Sequence, residues 1–232
     1  MRQVLPDVWL LEGLRGANVY LLNRRNGLAL VDSGMAGDMV CIVDQLHAAG
    51  HELSQMRTIM LTHAHGDHAG GAAELARRSG ARVVAHRAEA PYVEQTKPLP
   101  APSPLRRLMN WMTNRLVFQL SACPVNRTVM EGDVIDTLRG LEVIHTPGHT
   151  PGSLALYQPE RQILFCGDAL FNANPMTGRP QLQLPIPLFT LDAAQARQSV
   201  AKLADLSVKV LCCGHGEPIL EGAQDRISAV LR

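Results

Sequence analysis

Short apolar runs, punctuated by glycine, proline, asparagine and aspartate, recur along the chain. Residues 8–11, 19–22, 28–31, 58–61 and 82–85 form an early group, and residues 141–144, 153–157, 162–166 and 208–212 a later one. Each has strand length and β-branched or aromatic content, so each predicts a β-strand. Helical patterns lie between them. Residues 39–49 and 68–79 run into Gly50 and Gly80, glycines suited to C-caps. Asp192 is a good N-cap for a helix that runs to Leu206, and residues 222–231 predict the last helix. The strands cluster before residue 86 and after residue 128, with helices mixed into both batches. This order fits an α/β chain of two mixed sheets packed face to face, with helices outside.

The segment from 91 to 127 differs. Its run Lys97-Pro98-Leu99-Pro100-Ala101-Pro102-Ser103-Pro104 excludes a regular helix or a central strand. A helix follows, with Leu105, Leu108, Met109, Met112 and Leu116 at spacings of three and four. Arg106, Arg107, Asn110 and Arg115 fall elsewhere around it. Four readings stay open: a surface helix on its own core, a lid over an active site, a homodimer face, and a surface-binding helix. A second Pro-rich segment, residues 174–187, is long enough for a functional loop.

Composition narrows the function classes. The chain has 232 residues, 46% hydrophobic and 19% charged, which is ordinary for a globular protein. A net charge of +1 and an aromatic content of 4% offer neither the basic field nor the stacking platforms of a nucleic-acid binder. No run of 18 apolar residues predicts a membrane span, and residues 1–11 lack the pattern of a secretory signal. Cys41, Cys123, Cys166, Cys212 and Cys213 are odd in number and scattered, which argues for a reducing, cytoplasmic setting. They read as small packing residues.

Thr62-His63-Ala64-His65-Gly66-Asp67-His68 carries the chemistry. It follows an apolar strand and precedes a helix. His63 and His65 alternate as in extended chain and can face one side. Asp67 and His68 sit at the turn into the helix. Imidazole and carboxylate together suit zinc, and also iron or manganese. Downstream, His149, Asp168 and His215 each follow an apolar strand and a glycine, which lets backbone approach closely. None of these three is diagnostic alone. Asp32, in Asp32-Ser33-Gly34, reads equally as a turn residue or as a partner of the histidine loop.

The chain resembles the metallo-β-lactamase-fold hydrolase superfamily. The resemblance rests on residues 62–71, on Pro147-Gly148-His149-Thr150-Pro151-Gly152-Ser153, on Gly167-Asp168 and on Gly214-His215-Gly216. Asn18-Val19-Tyr20-Leu21 and Val31-Asp32-Ser33-Gly34 match the family's opening strands. The resemblance spans residues 8–217. It implies a four-layer αβ/βα sandwich of two mixed β-sheets with helices on the outer faces. Residues 1–232 would form a single domain, with a helical lid-like insertion at about 91–127. It also implies two divalent metal ions, zinc first, with iron or manganese as alternatives. His63, His65 and His149 would hold one ion, Asp67, His68 and His215 the other, and Asp168 would bridge them. Asp32 would orient the histidine loop. A hydroxide between the metals would then attack a carbonyl or phosphoryl centre, with Asp67 or a bound water protonating the leaving group.

Asp168 points to a branch. The family's true β-lactamases carry cysteine or serine there, so an aspartate resembles the thioesterase, lactonase and phosphodiesterase branches. The glyoxalase II thioesterases add a C-terminal helical domain, which residues 216–232 do not supply. Acyl-homoserine lactonases carry tyrosine where Phe171 stands. The superfamily's tRNA nucleases use a basic extension that is absent here. The expectation is a hydrolase of a small ester, thioester or lactone, and Arg179 reads either as an exposed surface charge or as a partner for an anionic substrate with an acyl part. The alternatives are a mononuclear iron persulfide dioxygenase, a phosphodiesterase, and a non-catalytic metal protein.

Overall fold

The computed structural model describes residues 1–24, 26–101, 104–113, 116, 120–173 and 179–232. The readings of Pro102, Ser103, Arg115 and residues 174–178 lie outside these. The chain falls into two compact units, Met1–Val129 and Met130–Arg232.

The first unit holds a seven-stranded mixed sheet in chain order. Its strands are β1 (Arg2–Leu5), β2 (Val8–Leu10), β3 (Tyr20–Arg24), β4 (Gly27–Val31), β5 (Met56–Met60), β6 (Arg82–His86) and β7 (Arg127–Val129). β1 to β4 pair antiparallel, and β4 to β7 pair parallel. Helix α1 (Met39–Ala48) connects β4 to β5, and α2 (Gly66–Ala69) and α3 (Ala72–Ser79) connect β5 to β6. Leu21, Leu30, Ile59 and Val83 stand in register across four strands. They share one buried cluster with Ile42 and Leu46 of α1 and Leu75 of α3. The other face of the same strands, Tyr20, Val31, Met60 and Val84, is buried as well. Burial on both faces is why these strands read as continuous apolar runs rather than alternating ones.

Two expectations change here. The helix expected over 68–79 is broken into α2 and α3 at Gly70 and Gly71. A Cβ on Gly70 would lie 2.3 Å from the Gly66 carbonyl oxygen, and one on Gly71 2.4 Å from that of Ser33. The turn is pressed against neighbouring backbone, and only glycine fits. Strand β7 also went unread. It returns the chain to the first sheet after α4 (Ala90–Val93) and α5 (Pro104–Met112).

The second unit holds a five-stranded sheet. Its strands are β8 (Val134–Ile135), β9 (Leu141–His145), β10 (Leu154–Gln158), β11 (Ile163–Gly167) and β14 (Val210–Cys213). They lie in the order β14-β11-β10-β9-β8. Only β11 and β14 pair parallel. A small ladder joins β12 (Phe171–Asn172) to β13 (Leu182–Gln183). Helices α6 (Ala193–Ala204) and α7 (Ala223–Val230) bury Val200, Leu203 and Ile227 with Leu164 and Leu211. Asp192 caps α6 as expected, its Oδ1 accepting from Gln195 N at 2.9 Å.

Candidate metal centre

The histidine loop leaves the carboxyl end of β5, beside the end of β4, the place where open α/β sheets put ligands. Asp32 ends β4 in a left-handed backbone conformation, φ 61°. Its Oδ1 accepts from Thr62 N at 2.8 Å, and its Oδ2 lies 2.8 Å from Thr62 Oγ1. A carboxylate only accepts, so the Thr62 hydroxyl proton points to Asp32. The hydroxyl oxygen then accepts from His63 Nδ1, 3.1 Å away. Asp32 Oδ2 also accepts from His68 Nδ1 at 2.8 Å. Both histidines therefore carry a proton on Nδ1, and the neutral ring of each keeps its lone pair on Nε2.

The main chain of the loop is held as firmly. Ser33 N and Ser33 Oγ both donate to the His68 carbonyl, at 2.8 and 2.7 Å. Ala17 N donates to the Asp67 carbonyl at 3.0 Å. Glu89, fully buried at the head of α4, accepts from Ala64 N at 2.8 Å. Held this way, His63 Nε2 lies 3.0 Å from His65 Nδ1. That is close to the ligand–ligand edge of a tetrahedral zinc shell, about 3.3 Å for ordinary Zn–N bonds. Asp67 Oδ2 lies 3.9 Å from His68 Nε2.

In the second unit, Gly148 (φ 127°) packs so tightly on α6 that a Cβ would lie 2.2 Å from Ala196 N. Leu191 N and Asp192 N donate to the carbonyls of His149 and Gly148. Thr190 Oγ1 donates to the Ile186 carbonyl at 2.8 Å and faces His149 Nδ1 at 3.4 Å. The logic of Thr62 repeats: the hydroxyl spends its proton elsewhere and accepts from Nδ1, leaving a lone pair on His149 Nε2. Asp168 and His215 leave the same end of the parallel pair β11 and β14, and Gly214 N donates to the Gly167 carbonyl at 2.9 Å. One oxygen of Asp168, Oδ2, stands 3.4 Å from His149 Nε2 and 3.6 Å from His215 Nε2. The Phe171 ring lies edge-on to both imidazoles, 6.4 and 5.0 Å between centroids.

The structure thus gathers His63, His65, Asp67 and His68 in the first unit, and His149, Asp168 and His215 in the second. Histidine and aspartate groups able to bind a metal ion are present. None of the five cysteines is in a disulfide, and four are buried. The Cys213 thiol is held well above its ordinary pKa by its hydrogen bond with Cys166 and by burial.

Glu89, Ser33 and Thr190 escaped the sequence reading. Glu89 follows β6 as Asp32 follows β4, so its place after a strand was the available signal. Thr190 sits in a loop with no local mark.

Comparisons with known proteins agree on a family. Residues 13–215 match the model of the metallo-beta-lactamase superfamily. The chain is 29% identical over 215 residues to the probable metallo-hydrolase YflN of Bacillus subtilis, covering 88% of this chain and 81% of that one. It is 28% identical to a hydroxyacylglutathione hydrolase of Pectobacterium atrosepticum, covering 88% of this chain and 64% of that protein. A metallo-beta-lactamase family protein of Thermus thermophilus shares the fold, with a TM-score of 0.75, 24% identity, and coverage of 99% of this chain and 79% of that chain.

Proposed function

This chain belongs to the metallo-β-lactamase superfamily, and from that premise we propose a metal-dependent hydrolase that cleaves a small ester, thioester or lactone at a dinuclear zinc centre. His63, His65 and His149 would hold one ion, Asp67, His68 and His215 the other, with Asp168 shared. One observation carries the reading. An oxygen backs Nδ1 of three buried histidines: Thr62 on His63, Asp32 on His68 and Thr190 on His149. This turns each Nε2 into a metal donor, the usual arrangement behind a ligating histidine. The donor set of imidazole and carboxylate fits zinc, with iron and manganese as alternatives. Two bound divalent ions would bring the pKa of water toward ~7 and polarise an acyl oxygen.

The chain's own groups supply the rest. Asp32, Thr62 and Glu89 fix the histidine loop. Asp67, its side chain one-fifth exposed, has the solvent access needed to pass a proton to the leaving group. Phe171 gives an apolar wall and has no hydroxyl to protonate an alkoxide leaving group, which favours a thioester, whose thiolate leaves without one. The hydroxyacylglutathione hydrolase relative supports the same preference.

The test is elemental analysis joined to a panel of thioesters, esters, lactones, a phosphodiester and a persulfide. Two zinc ions per chain are expected, with thioester or ester turnover lost on chelation and restored by zinc. One iron per chain with oxygen uptake on the persulfide would overturn the proposal, as would turnover of the phosphodiester alone.

A further inference from the structure

Helix α5 displays its apolar stripe to solvent. Leu105, Leu108, Met109 and Met112 follow helical spacing, and they are 69, 53, 48 and 44% exposed. Trp111 is 63% exposed and Leu116 66%. The surrounding chain is anchored: Leu99 on one side and Leu120 on the other pack against the core cluster of the first unit. Among the described residues, none of α5 joins that cluster. A stripe this apolar, left in water between two anchored ends, is a contact surface.

Charge decides what it contacts. From Gln95 to Met130 the sequence has no aspartate or glutamate, while Lys97, Arg106, Arg107, Arg115 and Arg127 are basic. The chain's other basic residues number 17 against all 21 acidic ones, so its positive charge is concentrated here and the remainder is net acidic. Arg107 is exposed one turn before Trp111. Leucine, methionine and an exposed tryptophan on a short helix, with arginines and no acid, is the composition of helices that lie in the plane of an anionic bilayer. Basic residues draw such a helix to anionic headgroups, and tryptophan settles at the interface. No helix among the described residues is long and apolar enough to cross a membrane.

We infer that α5 is an interfacial anchor that docks the protein on the surface of an anionic lipid bilayer. The acid-free stretch gives the attraction, and the Leu105–Leu108–Met109–Met112 stripe with Trp111 enters the headgroup boundary. Self-association through the same stripe would bring like charges together, which disfavours a second copy as the occupant.

Vesicle co-sedimentation of the full chain, with tryptophan emission of a Trp9→Phe variant, tests this. The chain has two tryptophans, and Trp9→Phe leaves Trp111 as the reporter. Binding and a blue shift are expected with vesicles of phosphatidylcholine and phosphatidylglycerol, and little of either with phosphatidylcholine alone. High salt should weaken binding. Arg106→Gln with Arg107→Gln should lower partitioning roughly 25-fold, about fivefold per cation. Leu108→Ser should lower it too. Arg107 and Leu108 are exposed, and unaltered circular dichroism would show that each variant folds. Equal binding to both vesicle types, or none to either, overturns the inference. So does a blue shift that grows with protein concentration without lipid and tracks a dimer in sedimentation, because a second copy would then cover the stripe.

Discussion

Nδ1 of His68 donates to Oδ2 of Asp32 at 2.8 Å, joining residues 36 apart in the sequence. The same carboxylate holds Thr62 through its amide and its hydroxyl. Asp32 therefore fixes the start of the histidine loop and orients its last ring. A turn residue would need only the first of these.

Replacing Asp32 with alanine should weaken zinc binding by about 10- to 100-fold, the usual effect of removing the partner behind a ligating histidine. Competition against a chromogenic chelator measures this directly. Unchanged affinity would return Asp32 to the role of a plain turn residue.

Glu89→Ala leaves the buried Ala64 N–H without its acceptor. The expected cost is about 1–3 kcal/mol, read as a lower urea midpoint. Glu89→Gln keeps an acceptor oxygen and should retain most of the stability. Equal losses in both variants would mean that the charge of Glu89, rather than its hydrogen bond, matters.

Gly148→Ala places a methyl group against the α6 backbone at Ala196 and strains a positive φ. A lower melting temperature and faster amide exchange at Leu191 and Asp192 are expected, because both donate to the Gly148–His149 backbone. Exchange rates equal to the parent's would show that the helix can shift to make room.

Burial pushes the Cys123 thiol up to about 11 from an ordinary 9.0, and the Glu94 carboxylate adds to the rise. Between those values the folded chain keeps a proton that the unfolded chain releases. This contribution is complete below pH 9 and disappears as pH climbs toward 11. Cys123→Ala should flatten the fall of the urea midpoint across that window. An identical slope in both proteins would remove Cys123 from the alkaline transition.

The legible parts of the fold share a cause. β4, β5, β6, β10 and β11 are buried on both faces, so their apolar runs are unbroken and bounded by turn residues. β1 and β7 are short and mix polar residues into the run, leaving little pattern. The Gly70–Gly71 pair is a local turn signal, but the close approach of the Ser33 backbone that requires Gly71 is distant in sequence. The ligand-type residues were visible because they follow strands or, for Asp67 and His68, open the helix after one. Thr190, which backs the His149 ring, and Glu89, which holds the Ala64 amide, were not, because each acts on a residue far along the chain.

The left-handed backbone at Asp32 has a further meaning. Glycine would adopt that conformation with less strain, yet glycine carries no oxygen for Thr62 or His68. Chain geometry and side-chain chemistry thus make opposing demands on one position. A variant library at residue 32 should separate into two groups, with the hardiest proteins lacking a tuned imidazole and the competent ones enduring the tension.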